Sequence, residues 1–304
     1  MDLYLPIANL SVNALVIVAL GFGVGWLSGM FGVGGGFLTT PLLIFYGIPP
    51  TVAAASAASQ VTGASVSGVF AHARRKGVDY QMGGVMVAGG VVGSLVGAWL
   101  FEVLRARGLI DTVISILYVV MLGSVGGLML RESLGAVRAG RRGEPVRAAR
   151  RRHHPLVAAL PLRWRFYRSG LYISPLAPLA LGLVTGVLTM LLGVGGGFFM
   201  VPAMIYLLGM GTAVVVGTSL FQILFTTAAA TMVHATTTRA VDIVLAVLLL
   251  IGSVAGAQLG TRFAARLKPE QLRLALALIV LAVAVRMALG LGWRPGELYS
   301  IEIG

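Results

Sequence analysis

The chain has 304 residues, 58% of them hydrophobic and only 11% charged, with a mean hydropathy of +0.94. A soluble domain carries about 25% charged residues, so the composition excludes ordinary soluble classes and indicates a polytopic membrane protein. The net charge of +13 is local, because eleven of the 23 Lys and Arg residues lie between Arg131 and Arg168; cysteine is absent, which excludes disulfides and thiolate metal sites.

The opening segment "MDLYLPIANLSVN" has no basic n-region, so Leu10 onward reads as a first span rather than a cleaved signal. In chain order the apolar runs predict helices at 9–29, 36–48, 51–73, 81–104 and 109–131. After a polar interval they resume at 173–191, 197–210, 212–234, 241–263 and 270–290. Runs such as Val113 to Leu130 approach the ~20 residues that a bilayer-crossing helix needs. The strands of an outer-membrane barrel would instead alternate over about ten residues.

The two groups of five match one another. "GVGGGF" at Gly32 returns at Gly193, Pro41 as Pro202, Gln60 as Gln222 and His72 as His234. "GSLVGAWL" at Gly93 is answered by "GSVAGAQL" at Gly252. Recurrence of several landmarks in one order marks a duplicated unit. The expected organisation is a first membrane repeat over 1–131, an Arg-rich cytoplasmic loop over 132–170 and a second membrane repeat over 171–304. The fold class expected is an all-α polytopic membrane protein with about ten segments in two inverted-topology repeats of five.

Charge supports the inversion. "RRKG" after the third segment became "TTTR", whereas "RARG" after the fourth became "TRFAARLK". With five crossings per half, one face collects all the basic residues except Arg105, Arg107, Arg239, Arg286 and Arg294. The basic face is cytoplasmic by the positive-inside rule, which places both termini outside and the protein in a bacterial inner membrane. The Arg-rich loop is read as obeying that rule and touching anionic lipid, with no nucleic-acid partner.

The glycine stretches carry the functional expectation. "FLTTPLLIFYGI" and "FFMVPAMIYLLGM" are too short to cross a ~30 Å hydrocarbon core as helices. Paired, broken segments of this kind mark the midplane site of inverted-repeat transporters. Adjacent glycines admit positive φ and close approach, and a helix starting after Gly36 or Gly197 presents free amides and a positive dipole end to an anion. The expected substrate-binding residues are Gly34, Gly35, Gly36, Thr39, Gln60, Gly195, Gly196, Gly197, Ser219 and Gln222. The glutamines fall near mid-membrane, where an amide both donates and accepts. His72 and His234 are candidates for proton handling, although capping of a helix end explains them more plainly. Gly21, Gly25 and Gly29, like Gly252, Gly256 and Gly260, form small-xxx-small steps and are read as packing. No nucleophile–base pair, metal cluster or P-loop is legible, so neither catalysis nor a cofactor is expected.

The doubled "GxGGGxxxxP" signature, the Gln and His that follow it and the polar central division resemble the TauE/SafE, or sulfite exporter, family of membrane transporters. The resemblance runs from about Gly21 to Ala288, apart from the Arg-rich loop. It implies a secondary transporter for sulfite, sulfoacetate or related sulfonates. Asp79, Glu102, Asp111 and Asp242 all fall at interfaces, so no carboxylate relay lies within the spans. Export of an anion from a negative cell interior needs no coupling ion, which favours an exporter over an importer. A scaffold or receptor using the basic loop is the remaining alternative.

Overall fold

The computed structural model describes residues 2–31, 36–74, 76–141, 161–264 and 269–292. Among them are ten α-helices and two antiparallel two-stranded hairpins. Strands β1 (Asp2–Leu5) and β2 (Leu10–Asn13) lead into α1 (Ala14–Phe31), α2 (Gly36–Phe45), α3 (Pro50–Arg74), α4 (Tyr80–Ala106) and α5 (Ile110–Arg141). Strands β3 (Trp164–Phe166) and β4 (Leu171–Ile173) lead into α6 (Leu176–Leu192), α7 (Gly197–Tyr206), α8 (Thr212–Val233), α9 (Ile243–Ala264) and α10 (Pro269–Gly292). A π-helical turn, His234–Thr238, continues α8.

Among the described residues, five stretches are long and apolar enough to span a membrane: Tyr80–Ala106, Ile110–Gly135, Val214–Thr238, Ile243–Phe263 and Leu274–Gly292. Their outward residues are apolar, as Leu95, Trp99, Val120 and Leu128 show, each more than half exposed. Apolar surface on this scale suits lipid rather than water. Helix α3 is long but rich in small residues, because it runs through the interior; Ala53, Ala54, Ala55, Ala57 and Ala58 are fully buried.

The hairpins correct the expectation of an all-α chain whose spans begin at 9 and 173. Alternating burial in "LYI" is a strand pattern, and Asn9 and Gly170 turn the two hairpins at φ 51° and 66°. Asp2 pairs with Asn13 and Leu5 with Leu10; Trp164 pairs with Ile173 and Phe166 with Leu171. The second hairpin crosses the expected boundary between loop and repeat at 170/171, and residues 132–141 continue α5. The core of the Arg-rich loop, 142–160, lies outside the described residues.

Each hairpin is pinned by a buried aspartate from the other half of the chain. Asp79 caps α4 by accepting from the Met82 amide and accepts from the Ser169 amide and hydroxyl in the second hairpin. Asp242 accepts from the Leu245 amide at the start of α9 and from Ile7 in the first hairpin. Their own amides donate to Thr218 and Ser56 respectively. Charge-assisted caps of this kind contribute about 0.5–2 kcal/mol each.

Helix directions follow from which residues meet. In α1 and α9, Gly21 abuts Leu249, Gly25 abuts Ser253 and Gly29 abuts Ala257, so the two run parallel. In α4 and α6, Met86 meets Gly182, Gly90 meets Gly186 and Gly97 meets Val187, again parallel. By contrast, Ser59, Thr62 and Gly68 of α3 meet Thr231, Thr227 and Leu220 of α8, so α3 and α8 are antiparallel. Gly126 of α5 meets Val280, while Ser115 shares a cavity wall with Met287 and Gly290, which makes α5 and α10 antiparallel as well.

The expected packing role of the six spaced glycines matches their surroundings. A Cβ on Gly256 would lie 2.1 Å from the Phe22 carbonyl oxygen and 2.7 Å from the Trp26 nitrogen, both backbone atoms that cannot rotate aside. Gly256→Val is therefore expected to cost about 1–3 kcal/mol through overpacking. Gly84→Val, which meets nothing within 4 Å, should be nearly neutral. Thermal unfolding in detergent measures both, and equal midpoints would contradict the interlocked contact.

Candidate functional site

Short helices α2 and α7 have ten residues each and so extend about 15 Å, half of a hydrocarbon core. They meet near their N-termini, where Phe37 and Phe198 stack with centroids 4.7 Å apart and planes 11° from parallel. An added Cβ on Gly36 would lie 2.6 Å from the Val194 carbonyl oxygen and 2.5 Å from Val61, whose other methyl abuts Gly195 at 2.7 Å. The glycine segments of the two halves are thus neighbours, with Val61 of α3 between them. Gly34 and Gly35 lie outside the described residues.

The second glycine segment is built from left-handed backbone. Gly193, Gly195 and Gly196 have φ of 69°, 70° and 78°, a conformation that costs other L-residues about 1–2 kcal/mol. Gly193 ends α6 by donating its amide to the Thr189 carbonyl, and Gly196 precedes α7 with its carbonyl accepting from Met200. The amides of Gly197 and Phe198 have no acceptor among the described residues, as expected for a helix start. The whole turn is buried, which makes those two donors unusual, since water cannot serve them.

A group of side chains surrounds this turn. Gln222 of α8 is fully buried and donates through Nε2 to the Thr185 and Thr226 hydroxyls at 3.3 and 2.9 Å. Its Oε1 has no partner, and the buried Thr189 hydroxyl also has none. Exchanging oxygen and nitrogen of the Gln222 amide does not remove the vacancy, because one end of the group still faces no partner. Orphaned polar atoms away from water are costly, about 1–3 kcal/mol each. Thr185 and Thr189 flank the space beside Gly196, and Thr227 contacts Gly195.

The matching glutamine of the first half is paired. Gln60 is buried, and its Oε1 accepts from the Thr39 hydroxyl at 2.9 Å. The residue matching Thr39 in α7 is Met200, which has no hydroxyl. The matched glutamines therefore differ, one satisfied and one not. Thr62 of α3 and Thr227 of α8 bridge the two sides at 2.8 Å between hydroxyls. Thr40 and Tyr118 both donate to the Leu192 carbonyl, fixing the approach to the turn.

Other expected residues stand further away. Ser219 is buried one turn before Gln222, but its hydroxyl donates to the Val216 carbonyl. His72 lies at the far end of α3 and donates from Nδ1 to its own Gly68 carbonyl, twelve residues and about 18 Å along the helix from Gln60. His234 is not a surface cap. It is fully buried, edge-on to Phe101 at 5.3 Å, and its Nε2 is 2.9 Å from the Met190 carbonyl, which can only accept, so that nitrogen carries the proton. Among the described residues there is no group of acidic or His side chains that would hold a metal.

Sequence reading missed Thr185, Thr189 and Thr226, since isolated threonines in an apolar helix are unremarkable until neighbours are known. The spacing of Thr185 and Thr189, one helical turn apart and facing the glycine turn, was the available signal.

The expected strain at the turn is measurable. Gly196→Ala must hold φ 78° and bring its Cβ to 3.2 Å from Thr185. It should lower unfolding free energy by about 1–2 kcal/mol. An unchanged thermal midpoint in detergent would show that the turn is not held in this conformation.

A family model described as "Sulfite exporter TauE/SafE" matches residues 17–287. A "Probable membrane transporter protein" of Xylella fastidiosa (strain Temecula1 / ATCC 700964) is 28% identical over 256 residues, covering 83% of this chain and 86% of that protein. The "Probable membrane transporter protein YjnA" of Bacillus subtilis (strain 168) is 26% identical over 269 residues, covering 84% and 92% respectively. No solved structure matches the chain.

Proposed function

Because the chain belongs to the TauE/SafE sulfite exporter family of membrane transporters, we propose that it exports a small sulfur-containing anion, such as sulfite, sulfoacetate or a related sulfonate, by alternating access. The observation that carries this reading is the buried vacancy at the start of α7. The amides of Gly197 and Phe198, without an acceptor among the described residues, and the unpaired Thr189 hydroxyl supply donors there, and the Gln222 amide adds one when turned so that Nε2 takes the place of the unpaired Oε1. A helix start with unsatisfied donors and a positive dipole end is an oxyanion site. Gly195, Gly196 and Gly197 let the anion approach the main chain, while Gly36, Thr39 and Gln60 form the matching half across Val61. Gly34 and Gly35 are assigned to the same half by sequence.

The architecture behind this function is a pair of inverted repeats. A two-fold axis in the membrane plane reverses each helix onto its equivalent, so α3 and α8, and α5 and α10, run antiparallel. An axis along the membrane normal would leave them parallel. The observed directions support the in-plane axis, as do the two hairpins pinned by equivalent aspartates. Together with the loop charges, this supports a cytoplasmic Arg-rich loop with both termini outside an inner membrane.

Direction follows from charge. A cell interior negative by 100 mV favours outward movement of each negative charge by about 2.3 kcal/mol. The buried carboxylates Asp79 and Asp242 are engaged at helix starts, so neither forms a relay through the membrane. His72 and His234 act in packing and helix termination rather than proton transfer.

In proteoliposomes offered sulfite, thiosulfate, sulfoacetate, taurine or sulfate, with and without a pH gradient, at least one sulfur oxyanion should be carried without proton coupling. Gln222→Leu and Thr189→Val should each reduce its flux roughly 10- to 100-fold, matching the ~1.5–3 kcal/mol of a hydrogen bond to a charged group. Flux that persists in both variants would refute the site. Flux that requires the gradient would refute uncoupled export. Deleting part of 138–152 should leave flux intact, whereas a scaffold would lose its role.

A further inference from the structure

A second polar cavity, of about 250 Å³, opens beside the N-terminal hairpin. Its walls come from the hairpin turn at Ile7 and Asn9, the first turn of α3 at Thr51, the end of α4 at Arg105, and Arg239 just after the π-helical turn. We propose that this cavity is an anion-collecting vestibule, in which Arg105 and Arg239 draw a small oxyanion to the outer mouth of the pathway before or after it occupies the site at α7. The outer location and the pathway rest on the proposed transport reading; the affinity of the cavity for anions does not.

Three observations carry it. The first is charge placement. On the face that the loop charges make extracellular, only Arg105, Arg107, Arg239, Arg286 and Arg294 are basic, yet two of these five line one cavity. Among the described residues no carboxylate is part of its wall: Asp242 accepts from Ile7 and Leu245, and Glu102, one turn before Arg105, lies outside it.

The second is positioning. Arg105 donates from Nη1 to the Thr238 carbonyl at 3.0 Å, which aims one edge of its guanidinium and leaves other donors open. Arg239 has left-handed backbone, φ 49°, as the residue that ends the π-helical turn. A non-glycine residue in that region is uncommon and carries a conformational cost. The turn thereby brings an arginine to the cavity instead of a glycine.

The third is connection. Phe101 forms the floor and packs edge-on against His234, whose Nε2 donates to the Met190 carbonyl. Met190 lies three residues before Gly193, where the glycine turn begins. The chain of contacts from the cavity to the glycine turn thus runs through Phe101, His234 and the Met190 carbonyl of α6. Clefts lined by one sign of charge raise the local concentration of counter-ions and their association rates by about 10- to 1000-fold.

The chain has no cysteine, so Thr51→Cys supplies a single reporter thiol in the wall. In phosphatidylcholine vesicles, its rate of reaction with the anionic sulfonatoethyl methanethiosulfonate is compared with that of the cationic trimethylammonioethyl reagent. The ratio is expected to favour the anionic reagent, sulfate is expected to slow that reagent, and Arg105→Gln with Arg239→Gln should lower the ratio about 10-fold or more. If the double variant does not fold, Arg239→Gln alone should still lower it. An unchanged ratio, or no slowing by sulfate, would overturn the proposal. Slowing that appears only when phosphatidylglycerol is added would also overturn it, because the cavity would then hold lipid headgroups. These readouts require no transport, so a chain that moves no sulfur anion can still show the vestibule, and an active transporter can lack it.

Discussion

Everything in this molecule follows from the need to satisfy backbone polar groups in a medium without water. A continuous helix meets that need by itself. Helices α2 and α7 start part-way through the bundle, so their first amides must find partners from outside the helix. In α7 the turn before the helix uses left-handed glycines to bring α6, α7 and α8 together, yet two amides, one hydroxyl and one end of a carboxamide have no partner among the described residues. Unpaired polar groups in a native interior are few, and each calls for an explanation.

The rest of the bundle gives that vacancy a rigid frame. Parallel pairs α1/α9 and α4/α6 interlock through glycines that touch the backbone of the facing helix, and each pair joins one half of the chain to the other. Between them, α3 and α8 cross antiparallel with polar contacts in place of interlocked glycines, through Ser59, Thr62, Thr227 and Thr231. Hydroxyl contacts of this kind contribute about 0.6 kcal/mol each in membranes, so the α3/α8 interface is easier to rearrange than its flanks. Alternating access by movement of one rigid unit against another is a natural use of such a division.

Much of this was legible in the sequence, for physical reasons that differ between features. Ten helices could be located because apolar runs and glycine breaks are local signals. The relation between "GVGGGF" at 32 and at 193 needed only self-comparison, and the doubled motif identified the family. The hairpins were not legible as strands, because Leu5, Val12, Phe166 and Ile173 are as apolar as the helices that follow; their strand character comes from pairing and from aspartates more than 80 residues away. The burial of His234 was also hidden. Its position near a helix end suggested a cap, while the π-helical turn and Phe101 place it inside. The difference between Gln60 and Gln222 was present as Thr39 against Met200, but its meaning appears only once Thr39 is seen to satisfy Gln60.

The two glycine segments match in sequence while their glutamines differ in pairing, and the central claim is that the second half holds the anion. Anomalous scattering from selenite, bound to the purified protein in a crystal, locates the ligand directly. The predicted result is a single strong peak within hydrogen-bonding distance of the Gly197 amide, Thr189 and Gln222. A peak beside Thr39 and Gln60 alone, or no peak in the bundle interior at saturating selenite, would contradict it.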